Sequence, residues 1–326
     1  MDYVKLGNTG MDVSRICLGC MSFGGEGKGL FPWALSEKSS RPIIKKALDL
    51  GINFFDTANM YSDGRSEEIV GRALKDYADR DEIVLASKVF FPMRQGPNGA
   101  GLSRKAILSE IDKSLKRLGT DYVDLYYIHR LDHKTPLEVT MEALHDVVKA
   151  GKARYIGASS LYAWQFLKAN QIAERNGWTK FAAMQNLYSL MYREEEREML
   201  PLCREEKIAV VPWAPLASGR LTRDWGVSTP RSKIDDIGNH LFAATAGPDR
   251  NVVERLAEVA KKRGVPMAQV ALAWLLKDPV ITPIVGPTKI SHVEDAVAAL
   301  SLTLTPEEIA QLEEPYVPHP VIGIEV

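Results

Sequence analysis

Residues 51 to 61 read Gly-Ile-Asn-Phe-Phe-Asp-Thr-Ala-Asn-Met-Tyr, a short apolar run that ends in Asp56 and reaches Tyr61 five residues later. Residues 52 to 55 predict a buried strand, and residues 66 to 74 have the pattern of the next helix. Asp56 and Tyr61 therefore fall in a strand-to-helix loop. In a barrel of repeated strand–helix units, such loops form the face that carries the chemistry.

Strand-like runs alternate with helical segments along the rest of the chain. The eight runs cover residues 16–19, 52–55, 83–87, 122–128, 153–157, 181–184, 208–213 and 281–285. The clearest helix lies between Ser103, a capping residue, and Gly119, which ends it. Strands that alternate with helices pair in parallel through right-handed crossovers, and eight such units close into a (β/α)8 TIM barrel. We predict one such α/β domain over residues 1–326.

Three further segments are predicted to decorate the barrel. Residues 4–6 and 11–13 flank Asn-Thr-Gly, which predicts an N-terminal β-hairpin that plugs one end. The polar stretch 218–249 is long for a loop in a compact domain, so we expect it to be functional. The proline-rich C-terminal tail, from Pro315 onward, is predicted to lie extended over the barrel mouth.

Composition excludes several classes of protein. A net charge of −1 provides no field that would attract nucleic acid or anionic lipid. No run of 18 apolar residues and no secretory leader is found, so neither a membrane nor export is expected. Three cysteines make no disulfide framework, which fits a reducing cytoplasm. Nothing in the sequence indicates an oligomeric state.

Four polar residues fall at or soon after the predicted strand ends: Asp56, Tyr61, Lys88 and His129. A lysine cation near a tyrosine favours the phenolate and lowers the tyrosine pKa, while an aspartate keeps the lysine charged. A histidine can donate a hydrogen bond that polarises a carbonyl group. Each residue alone has an ordinary structural explanation, but four at one barrel face predict a proton-transfer site.

Two other patterns suggest metal or redox chemistry only weakly. Cys17 and Cys20 have a C-x-x-C spacing without a second pair, so buried packing is the better interpretation. His129 and His133 have the spacing of two metal ligands on a helix, yet Asp132 and Pro136 indicate a loop there. We therefore predict no metal site.

The whole set of motifs resembles the aldo-keto reductase superfamily. The matching segments are residues 51–61, 66–71, 127–130, 151–159 and 212–219, together with Lys88. Residues 40–44 and 192–201 make the bacterial YajO-type branch the nearest resemblance. In that superfamily the positions of Asp56, Tyr61, Lys88 and His129 form the catalytic tetrad, and the tyrosine is the general acid.

The resemblance also implies NADPH, bound across the carboxyl ends of the strands. The sequence lacks G-x-G-x-x-G between a strand and a helix, which disfavours a Rossmann dehydrogenase. The positions that the resemblance implies for cofactor contacts are Gly19, Met21, Asp56, Ser159, Ser160, Gln185, Trp213, Ala214, Pro215, Leu216, Ala217, Gly219, Arg220, Gly286, Thr288, Lys289, His292 and Asp295.

The predicted activity is NADPH-dependent reduction of aldehydes or ketones to alcohols, with a small carbonyl compound as the binding partner. One alternative is the sugar-phosphate role of the YajO-type branch, formation of 1-deoxy-xylulose 5-phosphate. The other is a regulatory module that binds the cofactor, as potassium-channel β subunits do. Those subunits usually have asparagine at the position of His129, so the histidine favours an active enzyme.

Overall fold

The strands form a small hairpin and a ring in the computed structural model, which describes residues 1–25, 30–243 and 245–324. The sequence predicts a glycine-rich loop at Gly24, Gly25, Gly27 and Gly29, and the last two of these glycines lie outside the described ranges. The strands are β1 (Tyr3–Lys5), β2 (Asp12–Ser14), β3 (Cys17–Gly19), β4 (Phe54–Asp56), β5 (Val84–Val89), β6 (Val123–Ile128), β7 (Ala153–Ser159), β8 (Phe181–Gln185), β9 (Ala209–Val210) and β10 (Ile284–Val285).

The helices follow the strands of the ring, with further helices near the C-terminus. They are α1 (Glu37–Asp49), α2 (Arg65–Tyr77), α3 (Arg104–Leu118), α4 (Leu137–Lys149), α5 (Ala163–Arg175), α6 (Met199–Glu205), α7 (Asp236–Leu241), α8 (Ala246–Arg263), α9 (Met267–Leu276), α10 (Ile290–Ala298) and α11 (Pro306–Glu313).

Parallel pairing joins the eight ring strands in the order β10-β3-β4-β5-β6-β7-β8-β9. The ring closes between β9 and the segment before β10, where Val210 bridges Ile281 and Thr282 N donates to Val210 O at 2.9 Å. The predicted (β/α)8 barrel is therefore confirmed. Within this ring each strand is therefore paired with or bridged to a neighbour on both sides.

Strand alternation separates two apolar cores. Side chains that face the barrel axis include Phe54, Ala86 and Tyr127, whereas those that face outward pack under the helices. Gly157 makes room for Tyr127, because a Cβ at position 157 would lie 2.4 Å from the Tyr127 ring. The N-terminal hairpin adds Leu6 and Val13 to the inner core, as predicted for a plug.

Local signals account for the helix that was clearest in the sequence. Ser103 Oγ accepts a hydrogen bond from Ala106 N at 3.2 Å, and Gly119 adopts φ 66° at the end of α3. Ile107, Ile111 and Leu118 are buried along one face of this helix. Capping residues thus determine both ends of α3, and the apolar periodicity determines which face of the helix is buried.

Other predicted boundaries were wrong. The sequence predicts a helix from about Arg41 to Leu50, but the helix begins at Glu37, because Ser36 accepts a capping hydrogen bond from Ser39 N. The strands expected over 208–213 and 281–285 shorten to two residues each, Ala209–Val210 and Ile284–Val285. The long stretch 218–249 is not a plain loop, since it contains α7 and the start of α8.

The C-terminal tail lies beside the mouth of the barrel. Tyr316 Oη donates to Glu194 at 2.6 Å, and Ile322 N donates to Tyr192 Oη at 3.3 Å. A Cβ at Gly323 would lie 3.0 Å from the Trp213 ring, so the tail reaches that side chain. These contacts confirm the predicted position of the tail.

A buried ion pair makes docking of the tail sensitive to pH. His319 Nε2 lies 2.8 Å from Asp249 Oδ1. Burial acts to lower the pKa of His319, but its hydrogen bond and charge interaction with Asp249 outweigh this and raise the pKa. A histidine with a raised pKa stabilises the docked state fully below its unfolded pKa of about 6.5, and this stability is lost as pH rises through the folded pKa.

We expect the tail to be better protected at about pH 6 than at about pH 9. Protection factors of the amides of His319 and Ile322, measured by hydrogen exchange and corrected for intrinsic rates, would show this. His319→Gln is the control, because glutamine does not titrate and should remove the pH dependence. An unchanged pH dependence in that variant would rule out His319 as the cause.

Candidate active site

Strand alternation places the site side chains directly above the inner core. Asp56 follows the inward-facing Phe54 by two residues, and Lys88 follows the inward-facing Ala86 by two. The same spacing applies at the ends of the next three strands, for His129 after Tyr127, Ser159 after Gly157 and Gln185 after Ala183. A period of two therefore points all five side chains toward the barrel axis at its carboxyl end.

Lys88 is hydrogen-bonded to two other predicted site residues, Asp56 and Tyr61. Its Nζ donates to Asp56 Oδ1, to Thr57 O at 2.7 Å and to Tyr61 Oη at 3.2 Å. The ammonium thus has three acceptors, which satisfies all of its donors. Both Lys88 and Asp56 are buried, so this is a desolvated ion pair with a tyrosine attached.

Asp56 accepts at both of its oxygens. Gln185 Nε2 donates to Asp56 Oδ2 at 2.8 Å, while Lys88 holds Oδ1. Acceptance at both oxygens is the pattern of an ionised carboxylate. Burial acts to lower the pKa of Lys88, but Asp56 and Tyr61 outweigh burial and raise it, so the ammonium stays charged.

Two opposing effects act on the pKa of Tyr61, and the prediction included only the effect of Lys88. Lys88 does act to lower the pKa of Tyr61, but burial of the phenol is the larger effect and raises the pKa above its ordinary value. The expectation of a net lowering was therefore wrong. Tyr61 is protonated at neutral pH and holds a proton that it can donate.

His129 is held in the neutral form. Burial, followed by the charges of Lys88 and Arg130, lowers its pKa well below the ordinary value. Its ring lies edge-on to the Tyr61 ring, with 5.7 Å between centroids, and Nδ1 is buried without a partner among the described residues. A neutral imidazole has one N–H, so His129 can donate one hydrogen bond beside Tyr61.

A buried polar network supports the strand that bears Lys88. Ser87 Oγ donates to Glu67 Oε1 at 2.5 Å, and Arg117 Nε donates to Glu67 Oε2 at 2.6 Å. Glu67 is fully buried on α2 and forms an ion pair with Arg117. This network ties α2 and α3 to β5 directly below the site.

Aromatic rings line the space next to Tyr61 and His129. Phe31 packs edge-on against Tyr61 with 5.9 Å between centroids and against Trp33 at the same distance. Phe91 packs edge-on against His129 at 4.9 Å. These three rings were not predicted to line the site, because they lie in loops that have no periodic pattern of apolar residues.

Predicted cofactor positions on β7, β8 and the loop after β9 come together. Trp213 Nε1 donates to Ser160 Oγ at 3.1 Å, which orients the indole, and the ring is only partly buried. Ser160 adopts φ 57°, a left-handed conformation at the end of β7. Ser159 and Gln185 are paired in register on the neighbouring strands. A flat ring held this way suits stacking against a planar ligand.

The loop that follows Trp213 has an unusual backbone. Ala214, Ala217, Ser218 and Gly219 all have positive φ, between 47° and 85°. These left-handed residues turn the chain tightly, and Ala217 N and Gly219 N donate within the loop to Ala214 O at 2.9 Å and to Leu216 O at 2.8 Å. Pro215 and Leu216 lie within this loop. Arg220 donates to Asn239 Oδ1 at 3.1 Å and lies over the Phe242 ring.

The start of α10 fits a phosphate group. Lys289 is the N-cap residue and no side chain caps the helix, so the first-turn amides are available. Thr288 N contacts His292 Nδ1 at 3.3 Å. Burial, followed by the charge of Lys289, lowers the pKa of His292. Asp295 is already engaged, since its Oδ1 accepts from Gln269 at 2.9 Å.

The remaining predicted positions lie beside the first strand of the ring. Gly19 is paired in register with Asp56, and Met21 packs in the small cluster that contains Tyr61. A Cβ at Gly286 would lie 3.6 Å from Ser22 Oγ and 3.9 Å from Gly19 O, so the end of β10 adjoins the end of β3. All predicted positions thus lie at one end of the barrel.

The two weak metal patterns have ordinary explanations. Cys17 and Cys20 are free and buried, and burial raises the pKa of both thiols. In the part of the chain that the structure describes, no group of three or more His, Cys, Asp or Glu residues has a metal-binding arrangement. Over the same residues, no helix is both long and apolar enough to span a membrane.

Comparison with known proteins identifies the family. The sequence profile of the Aldo/keto reductase family matches residues 15–316. The chain is similar to the versiconal hemiacetal acetate reductase of Aspergillus parasiticus, with 46% identity over 98% of each chain. It is also similar to a putative aryl-alcohol dehydrogenase of Schizosaccharomyces pombe, with 44% identity over 98% of this chain and 97% of that protein. A putative aryl-alcohol dehydrogenase of Saccharomyces cerevisiae is 41% identical over 97% of each chain. With this match and the barrel that underlies the site, the chain belongs to the aldo/keto reductase family and is an oxidoreductase.

Proposed function

We propose that the protein reduces aromatic aldehydes or ketones to alcohols with NADPH, and that Tyr61 is the general acid. The observation that supports this most is the hydrogen-bonded chain from Asp56 through Lys88 to Tyr61 beside the neutral ring of His129. An acid that keeps its proton at neutral pH, a fixed cation behind it and a second donor are the groups that carbonyl reduction needs.

The chain's own residues carry out the proton transfer. His129 donates a hydrogen bond to the carbonyl oxygen, which draws charge toward that oxygen. Tyr61 then donates its proton to the same oxygen, and the charge of Lys88, 3.2 Å from Tyr61 Oη, stabilises the phenolate that remains. Asp56 keeps Lys88 in place. Burial of the group excludes water and strengthens each of these interactions.

Support for a nicotinamide cofactor comes from the surfaces described above. Trp213, with Ser159, Ser160 and Gln185, would hold the nicotinamide, the loop 214–220 the pyrophosphate, and Thr288 with Lys289 the 2′-phosphate. When it is bound there, NADPH supplies a hydride for the carbonyl carbon. His292 and Asp295 would lie close to the adenosine, and Gly19, Met21 and Gly286 along its path.

The aromatic part of the proposal rests on two observations. Phe31, Trp33 and Phe91 line the space next to Tyr61 and His129, which favours a flat apolar substrate over a sugar phosphate. The second observation is that two of the similar proteins are named putative aryl-alcohol dehydrogenases. The YajO-type branch, its sugar-phosphate reaction and a cytoplasmic location stay predictions.

A panel assay that follows NADPH absorbance tests the proposal. We expect benzaldehyde and acetophenone derivatives to be reduced with higher kcat/KM than short aliphatic aldehydes. Only the aromatic compounds can pack against the rings of Phe31, Trp33 and Phe91. Triose phosphates in the same panel represent the sugar-phosphate alternative. If none of the carbonyl compounds oxidised NADPH although the cofactor bound, the protein would be better described as a regulatory module.

Lys289→Ala is expected to weaken NADPH binding by about ten- to a hundredfold while NADH binding barely changes. The 2′-phosphate, which only NADPH has, loses one charge-assisted hydrogen bond worth roughly 1.5–3 kcal/mol. Fluorescence titration of the two reduced cofactors measures both affinities. Lys261→Ala, an exposed lysine near the end of α8, is the matched control and should change neither. An equal loss for both cofactors would show that Lys289 does not read the phosphate.

A further inference from the structure

Arg130 is a cation at the site that takes no part in the proposed proton transfer. It directly follows His129 beyond the end of β6 and is partly buried. The centre of its guanidinium lies 5.8 Å from the Phe91 ring centroid and 5.9 Å from the Trp213 ring centroid. The guanidinium is therefore enclosed between the ring that packs on His129 and the indole that is held by Ser160.

The hydrogen bonds of Arg130 leave much of the guanidinium unused. Its Nη1 donates to the carbonyl of the adjacent His129 at 2.6 Å, and its buried Nε has no partner among the described residues. Burial lowers the pKa of Arg130, opposed by Tyr61, and no carboxylate contributes to this balance. The group nevertheless stays charged, because arginine does not lose its proton in proteins.

Three other partly buried arginines of the described chain are paired with acids, whereas Arg15, Arg220 and Arg223 donate to carbonyl or amide oxygens. Arg117 donates to Glu67 at 2.6 Å, Arg193 to Glu196 at 2.8 Å, and Arg231 pairs with Asp235 at 3.2 Å. A charge taken out of water without a counter-ion is costly. Arg130 therefore differs from these three, and an anionic ligand would supply the missing partner.

We propose that Arg130 binds a carboxylate on the substrate, so that the preferred substrates are aromatic aldehydes or ketones that also carry an acid group. This inference rests on the proposed function and names the substrate class for the same site. A guanidinium presents a planar fork of donors that matches the two oxygens of a carboxylate. The ring of Phe91 next to it accommodates the aromatic part.

The ring topology separates Arg130 from the expected 2′-phosphate site of the cofactor. In the closed order of eight strands, β6 lies four positions from β10 in either direction, which is directly across the barrel. Thr288 and Lys289 follow β10, and Arg130 follows β6 next to His129. The charge of Arg130 acts instead on Tyr61, where the carbonyl reacts. The anion it binds is therefore assigned to the substrate.

Kinetics with the three formylbenzoates and their methyl esters test this without any mutation. At least one of the ortho, meta and para carboxylates should have a kcat/KM about ten- to a hundredfold above that of its ester, which has the same ring and no charge. If none of the three were preferred over its ester, the inference would be wrong. Reduction of the esters in that case would leave the proposed function intact.

Substitution then assigns the preference to one residue. Arg130→Met should lower kcat/KM for the preferred formylbenzoate about ten- to a hundredfold more than for its ester. Arg154→Met is the matched control, since Arg154 also lies over an aromatic ring, at 3.7 Å from Tyr122, but on the opposite end of β7. That variant should keep the wild-type ratio. Equal losses for acid and ester in Arg130→Met would assign the residue a structural role and overturn the inference.

Binding of benzoate provides a readout that does not require turnover. Benzoate should quench protein fluorescence with a dissociation constant that rises about tenfold or more in Arg130→Met and stays unchanged in Arg154→Met. Unchanged benzoate binding in Arg130→Met would count against the carboxylate site. This measurement remains decisive even if no aldehyde were reduced, which would be a failure of the proposed function alone.

Discussion

Tyr61→Phe is expected to lower carbonyl reduction by about two to four orders of magnitude and to leave NADPH affinity nearly unchanged. The substitution removes the hydroxyl that accepts a hydrogen bond from Lys88, while the ring keeps its packing against Phe31. Single-turnover rates and cofactor titrations measure the two effects separately. Tyr77→Phe, which alters an exposed tyrosine on α2, is the control. Near wild-type turnover in Tyr61→Phe would remove Tyr61 from the role of general acid.

The pH dependence of the same step follows from the raised pKa of Tyr61. Burial is the larger effect and keeps the phenol protonated, although Lys88 opposes it. Reduction needs the protonated form, so its rate should be constant through neutral pH and fall only as pH rises past the Tyr61 pKa. Alcohol oxidation needs the phenolate and should increase over that alkaline range. Tyr61→Phe should lose both dependences.

Lys88→Met is expected to abolish reduction and also to destabilise the protein by about 3–5 kcal/mol. The variant leaves the carboxylate of Asp56 buried without its cation, and Gln185 alone cannot compensate the charge. Denaturant unfolding followed by circular dichroism measures the loss of stability. The effect is large because the pair is fully enclosed at the top of the inner core.

The double variant Asp56→Asn, Lys88→Met separates stability from catalysis. Without the unpaired charge, most of the lost stability should return, because neutral groups of similar size can replace a buried ion pair. Reduction should remain absent, since Tyr61 still lacks its cation. A double variant that is no more stable than Lys88→Met would show that the loss came from packing rather than from the buried charge.

Most of the fold was predictable because its signals are local. The alternation of strands and helices and both ends of α3 follow from periodicity, capping residues and glycine. The helix α11 also has such a signal, a capping box of Thr305 and Glu308, which the sequence analysis did not use. The lengths of strands β9 and β10 were overestimated, because the residues around them form only isolated bridges, such as Leu187 with Trp213 and Val210 with Ile281.

The position of the candidate site was predictable for a topological reason. Once the strands are parallel, residues at their carboxyl ends must meet at one face, and a period of two aims Asp56, Lys88 and His129 at the same axis. The hydrogen bonds of Lys88 with Asp56 and Tyr61 can then be expected from the positions of these residues at neighbouring strand ends alone. The protonation of the site was not predictable in this way.

The sequence by itself determined which residues reach the mouth of the barrel, because strand period and parallel order depend on neighbours along the chain. Only the tertiary structure decided what each residue meets there. Burial, which depends on every segment packed around Tyr61, outweighs Lys88 and raises the phenol pKa. The enclosure of Arg130 by Phe91 and Trp213 joins loops that are far apart in sequence. Desolvation and such long-range contacts are properties of the assembled barrel, and no local pattern encodes them.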